Sequence, residues 1–378
     1  MRFKYHPKRQ IVTSAVCAIL AVLNSRVRAE DLAMHGTPAS GALWTHNNLF
    51  AWGLSVDSRS RTPEERAQML ARLGLKKVAY GWESKDIAAF DEQIEAFKSH
   101  GIEIIGWGIT DVDKPSDVVD WKTYKIQDLS VLAGLSKPAP NAMSVGEMLE
   151  MFKRHHIAPQ LWLIRRMRRS GPVSQPGKPF EQWTDEEKNS YFRSLLNYDS
   201  TETSQEHKLR VQQETARIKA LVELAEPYGV TVALYKHGGW IGISDNQVEI
   251  MARLKASGVS NVGIVYQFIH AHDEVDDSLD FPAVWKKIQP YVLAVNITGM
   301  HAAREAVFPI LYPSQGDVEV QMMKTIQESD WHGPIGLSPE KRGDAEVNLR
   351  DNIIGVEWIA AELLRPGSGG PRPFPLSH

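Results

Sequence analysis

Residues 230–272 read VTVALYKHGGWIGISDNQVEIMARLKASGVSNVGIVYQFIHAH, and two apolar runs within them each end abruptly in histidine. Residues 230–235 stop at His237, with Gly238 and Gly239 behind it; residues 262–268 stop at His270 and His272. Near-continuous apolar and β-branched runs of this length suit strands covered on both faces, as in a parallel sheet. Residues 245–256 between them read as a helix. Polar, metal-capable side chains at the carboxyl ends of parallel strands are where barrels and open α/β sheets place their chemistry.

The same alternation extends outward in both directions. Strand signals fall at residues 49–56, 77–82, 102–109 and 159–164 before the quoted stretch, and at 291–297 and 334–337 after it. Between them lie helix signals. Thr62 caps a helix with Pro63 at its first position and Glu65 completing a capping box, and Gly74 ends it. Ile87, Phe90, Ile94 and Phe97 form one stripe of the next. Further helices are predicted over 145–154, 205–226, 245–256, about Phe281, Val284, Trp285 and Ile288, over 316–329, and over 344–364. Eight strands alternating with eight helices predict an α/β chain folded as a single-domain (β/α)8 TIM barrel spanning 49–364. A doubly wound open sheet is the rival. Long loops follow strands three (111–144) and four (165–204), and loops of that length often cover a binding site. The Pro/Gly-rich run 365–378 is expected to be a disordered tail.

The first 29 residues stand apart. Arg2, Lys4, Lys8 and Arg9 precede an apolar run from Ile11 to Leu23, and Val27-Arg28-Ala29 suits a signal peptidase. A secretory signal peptide cleaved near Ala29 is expected, leaving 30–48 as an N-terminal extension and the protein secreted or periplasmic; an uncleaved anchor is the other reading. Cys17, the single cysteine, leaves with this segment, so the mature chain forms no disulfide and must rest on a large core. Cleavage also removes six Lys/Arg and no acid, taking the formal charge from −3 to −9. That charge repels polyphosphate and argues against nucleic acid as a partner. After cleavage no membrane span remains; a homo-oligomer stays open.

In a barrel the residues after each strand converge on one face. They are Asp57, Glu83, Thr110 with Asp111, Arg165 with Arg166, Lys236 with His237, Gln267 with His270 and His272, Asn296, and Glu340. Histidines and carboxylates from separate strands make a divalent-metal set, though each histidine also has a structural reading. Trp52, Trp82, Trp107, Trp162 and Trp240 lie on or just past the first five strands. Their faces can stack on sugars, or they fill barrel layers, which favour branched aliphatics. Arg165, Arg166, Arg168 and Arg169 form either an anion site or a solvated run.

The segments LYKHGGW, NVGIVYQFIHAH, YVLAVNITGM, GPIGL and DAEVNLRDNIIGVEWI resemble the xylose-isomerase-like TIM-barrel superfamily, and within it an exported sugar isomerase/epimerase-like branch. The resemblance runs from about Leu49 to Leu364. It implies a divalent ion held by Glu, Asp, His and Glu from the last four strands. Here Glu340 stands near the final Glu position, and Gln267 replaces the acid of the Asp-x-x-His that ends in His270. Tyr235 stands at the first Glu position and Asn296 at the His position. Two options follow: a His-richer site of His237, His270 and Glu340 for Mn, Co, Zn or Mg, or a barrel that has lost its metal.

On the first option the chain is an exported metal-dependent isomerase, epimerase or lyase acting beside the carbonyl of a small carbohydrate. His272 or Glu83 is then the acid/base, with Lys236, Gln267, Asn296, Trp82, Trp107, Trp240 and Arg165 binding substrate. On the second it is a non-catalytic sugar-binding barrel. A nuclease of the same superfamily is a third reading, against which the net charge argues.

Overall fold

The structure is a computed structural model and describes residues 42–54, 57–111, 117–128, 142–165, 177–179, 182–184, 186–188, 190, 202–272, 280–302, 310–338 and 343–374. The chain divides into two compact units, Met1–Ala42 and Leu43–His378. The expected signal peptide lies outside the described residues, as do Arg166, Arg168, Arg169 and Glu340. Among the described residues, no helix is long and apolar enough to cross a membrane.

Eight parallel strands close into a barrel in chain order, β8 pairing with β1. They are β1 (Leu49–Trp52), β2 (Lys77–Tyr80), β3 (Glu103–Asp111), β4 (Gln160–Arg165), β5 (Val232–Tyr235), β6 (Val262–Gln267), β7 (Val292–Ile297) and β8 (Ile335–Leu337). Eight α-helices lie among the described residues: α1 (Pro63–Arg72), α2 (Phe90–Ser99), α3 (Val145–Arg154), α4 (Ser204–Ala225), α5 (Ser244–Ala256), α6 (Phe281–Ile288), α7 (Glu319–Gln327) and α8 (Ala345–Leu364). The (β/α)8 expectation holds. Capping boxes start α1 at Thr62 and Glu65, α3 at Ser144 and Glu147, and α4 at Thr203 and Glu206. Each satisfies backbone donors that the first helical turn leaves unpaired.

Two apolar clusters result. The larger fills the space between the sheet and the helices; the smaller is the barrel interior, built from Phe50, Trp52, Ala79, Trp162, Ile164, Ala233, Tyr235, Val265 and Ala294. Alternation along each strand sets the division, since neighbouring side chains point to opposite faces. In β4, Trp162 and Ile164 face inward, so Leu161, Leu163 and Arg165 face the helices. The interior is aromatic: Trp162 lies 4.8 Å from Trp52, 5.7 Å from Phe50 and 5.8 Å from Tyr235 between ring centroids. Glycines make the room. A Cβ on Gly106 would sit 2.6 Å from Trp162 Cε2, and one on Gly336 1.9 Å from Asn296 Oδ1 and 2.5 Å from Phe50 Cζ.

The loops after β1 and β8 are joined by charge. Asp57 bridges to Gly343, and Arg61 binds Asp57 at 2.7 Å and Asp344 at 2.6 Å. Burial works against ionisation of Asp344, but hydrogen bonds from Arg61 and the Glu346 backbone outweigh it and hold the carboxyl below the usual range. Past Pro366, where composition marks disorder, the chain is hydrogen-bonded. Gly367 and Gly369 donate to Glu362, Gly370 accepts from Trp358, Arg372 donates to the Gly316 carbonyl, and Pro373 accepts from Gln315.

Candidate functional site

The carboxyl ends of β5 and β6 bring together the two histidines that end the quoted runs. His237 follows β5 by two residues; His270 stands in a 3-10 turn (Phe268–His272) after β6. Their ring centroids are 4.3 Å apart at an interplanar angle of 40°, and both residues are half-buried. His272 belongs to the same turn.

Below the pair lies a neutral floor. Tyr235, Gln267 and Asn296 are buried, and Gln267 and Asn296 are partners in the β6–β7 register. Tyr235 Oη accepts from Trp52 Nε1 at 2.9 Å and from Asn296 Nδ2 at 3.4 Å. The Tyr235 ring is 6.4 Å from the His237 ring. These three occupy the positions that the resemblance assigns to a Glu, an Asp and a His. A phenol and two amides, the phenol held by Trp52 and Asn296, do not fit a carboxylate–imidazole ligand set. The imidazole pair above offers two nitrogen donors from the ends of separate strands, a donor type that divalent ions take. Among the described residues no group of three or more His, Cys, Asp or Glu could hold a metal ion. Glu340, the expected third ligand, lies outside them, between Ser338 after β8 and Gly343.

Several expected substrate contacts lie elsewhere. Arg165 is 1 % exposed and faces α4, binding Glu214 of that helix at 3.0 Å and Asp111 of β3 at 3.3 Å. Lys236, one residue past inward-facing Tyr235, points outward; its Nζ donates to Gly242 O at 2.7 Å and Ser244 Oγ at 3.2 Å. Trp107 packs between sheet and helices against Tyr80, Phe90 and Phe152. Trp82 is buried against Phe90 with its N–H on the Gly108 carbonyl, and Trp240 is buried with its N–H on Glu202. No tryptophan among the five presents a face for stacking: Trp52 and Trp162 fill the barrel, and all five are at most 5 % exposed. Glu83 pairs with Lys85 at 2.6 Å and caps the 3-10 turn after β2, across the barrel from β6. Of the expected set, the structure brings together His237 and His270, with Gln267 and Asn296 beneath.

Two features escaped the sequence. Glu319 is buried, and burial raises its carboxyl above the usual range against hydrogen bonds from its own N–H and those of Gly316 and Met300; it braces the loop after β7. Glu202, just before the Thr203 cap, reaches Trp240. Its signal was a lone indole donor placed directly after two glycines.

The chain is therefore a closed parallel (β/α)8 barrel with an imidazole pair at the carboxyl mouth. In fold it resembles the xylose-isomerase-like TIM barrels. D-psicose 3-epimerase from Clostridium cellulolyticum H10 superposes with a TM-score of 0.50 at 11% identity, over 84% of this chain and 99% of that one. A D-tagatose 3-epimerase-like protein does so with a TM-score of 0.50 at 12% identity, over 84% and 99%. At that identity the likeness is one of fold. No family model matches the chain, and no curated protein matches it in sequence.

Proposed function

We propose that this chain is an exported carbohydrate enzyme acting at its barrel mouth on a carbon beside a sugar carbonyl, as an isomerase, epimerase or lyase. The observation that carries the reading is the 4.3 Å approach of the His237 and His270 rings, half-buried, over an amide floor. The solved neighbours named as a D-psicose 3-epimerase and a D-tagatose 3-epimerase-like protein agree with a small sugar as substrate.

His237 and His270, with Glu340, would hold a divalent ion. Such an ion supplies polarisation of a sugar carbonyl or hydroxyl, which lowers the barrier to proton removal next to it. His272 is assigned the proton transfer, because the Lys85 pairing engages Glu83. The amides of Gln267 and Asn296 orient substrate hydroxyls from below. Neither amide competes for the proton, so a single imidazole can serve as base.

Purified protein is expected to carry a divalent ion, and added Mn²⁺, Co²⁺ or Zn²⁺ is expected to raise its melting temperature. A ligand at a hundred times its Kd contributes about 2.7 kcal/mol. His237→Ala and His270→Ala should each remove that shift. An ion-free protein whose melting temperature ignores all three metals retires the metal assignment.

The neutral set Tyr235, Gln267 and Asn296 favours one alternative, a sugar-binding barrel without metal. It predicts saturable binding of a sugar that survives both chelation and His237→Ala. Export itself is checked by the mass of the secreted protein, which should begin near Glu30.

A further inference from the structure

His237 opens a loop that is closed on itself at several points. Asn246 Nδ2 donates to the Trp240 carbonyl at 2.7 Å, and Lys236 Nζ holds the Gly242 carbonyl. Gly242 packs so tightly that a Cβ would sit 1.8 Å from the His237 carbonyl oxygen. Between His237 and Trp240, however, stand only Gly238 and Gly239, which have no side chains to fix the backbone. Gly239 has φ +90°, a conformation few other residues adopt.

A second set of contacts anchors this segment to α4. Trp240 Nε1 donates to Glu202 Oε2 at 2.9 Å, and the Arg210 guanidinium lies 4.6 Å from the centre of the Trp240 ring. Arg210 also reaches Glu202 at 3.5 Å. The His207 ring is 5.5 Å from the Trp240 ring, and its nitrogens contact Glu202 at 3.2 Å and Glu249 at 3.1 Å. Glu202 thus joins an indole, an imidazole and a guanidinium from two chain segments. Glu202 precedes the capping box that starts α4, so the rigid helix fixes one side of the contact.

We propose that Trp240 and Glu202 are positioning residues, a latch that sets the Gly-Gly segment and so holds the His237 imidazole against His270. The inference rests on reading the imidazole pair as the functional site. It assigns the latch no contact with substrate. Partners that orient a metal-ligating imidazole from outside typically govern affinity by 10–100-fold, as an order-of-magnitude guide.

The test uses Co²⁺ alone as probe, titrated by visible absorbance into the purified protein, together with the His237 ring resonances, identified by their loss in His237→Ala. Trp240→Phe keeps a ring beneath Arg210 and removes the N–H. Glu202→Ala removes the acceptor, and Glu202→Gln keeps a carbonyl in its place. Trp240→Phe and Glu202→Ala are expected to weaken Co²⁺ about tenfold and to shift or broaden the His237 signals, with Glu202→Gln recovering most of both. Unchanged His237 signals in Trp240→Phe and Glu202→Ala overturn the latch. If the parent protein binds no Co²⁺, the metal reading fails by itself, and the ring resonances alone decide the latch. Should Trp240→Phe fold poorly, the two Glu202 variants carry the comparison.

Discussion

Trp162→Ala is expected to destabilise the barrel by about 3–5 kcal/mol, the usual range for removing a large buried aromatic. Trp162 is fully buried at the barrel axis, where its ring meets Phe50, Trp52 and Tyr235. Its removal opens a void in a closed wall of strands that cannot collapse inward. Urea denaturation should show a lower midpoint with an unchanged slope, since the unfolded surface is nearly the same. The partner variant makes the test specific. Gly106→Ala alone puts a methyl 2.6 Å from Trp162 Cε2 and should cost about 1–3 kcal/mol by overpacking. In the Trp162→Ala background the same methyl has space, and Gly106→Ala should be close to neutral. Costs that simply add, to within about 0.5 kcal/mol, would show that the two residues do not share one volume.

This glycine–tryptophan pairing also marks where sequence reading reached and where it stopped. Strand count and order were legible, because runs such as LWLI and GIVY are covered on both faces. Helix ends were legible where a side chain fixes them: Pro63–Arg72 begins at the Thr62 and Glu65 box, as expected. Ends fixed by packing were not. The first strand stops at Trp52 rather than near Val56, because Gly53 turns the chain with φ +75°. The predicted start at Gly316 becomes Glu319, because Gly316 is pressed against Met300.

At the site, the decisive information was parity. Tyr235 faces inward, so Lys236 faces outward. Trp162 is opposite Gly108 in register while Trp107 is opposite Leu161, which sends the two tryptophans to opposite sides of the sheet. Collecting every polar residue after each strand, and every tryptophan on or just past one, ignores that alternation and takes in Arg165, Lys236 and Trp107, which face the helices. Counting by twos from the glycines Gly106 and Gly108 would have separated them. The contact between His237 and His270 had no such signal, because it depends on how two loops fold over the ends of β5 and β6.

Asp111→Ala is expected to be as damaging as the loss of Trp162, through charge rather than volume. Asp111, Arg165, Glu214 and Arg217 form a quartet from β3, β4 and α4, each at most 6 % exposed. Asp111 accepts from Arg217 Nη2 at 2.7 Å and faces Arg165 Nε at 3.3 Å, while Glu214 takes two hydrogen bonds from Arg165. The quartet is neutral, and that neutrality makes its burial tolerable. Removing one carboxylate leaves two guanidiniums against one acid in a place that water does not reach. Breaking a buried pair in this way costs about 3–5 kcal/mol, whereas replacing both partners with apolar groups is often neutral or better. Arg217→Met should therefore reverse its sign between backgrounds. Alone it strips Asp111 of its main partner and destabilises; added to Asp111→Ala it restores the balance of Arg165 with Glu214 and recovers stability. A melting series on the four proteins of this cycle measures the coupling directly. If Arg217→Met destabilises both backgrounds equally, then the Arg217 side chain acts through its packing over the Trp121 ring and its hydrogen bond to the Asp117 carbonyl rather than through charge balance. The expected reversal would also explain why Arg165, at the rim of the mouth, is not available to a ligand: its charge is already committed to holding β3 and β4 against α4.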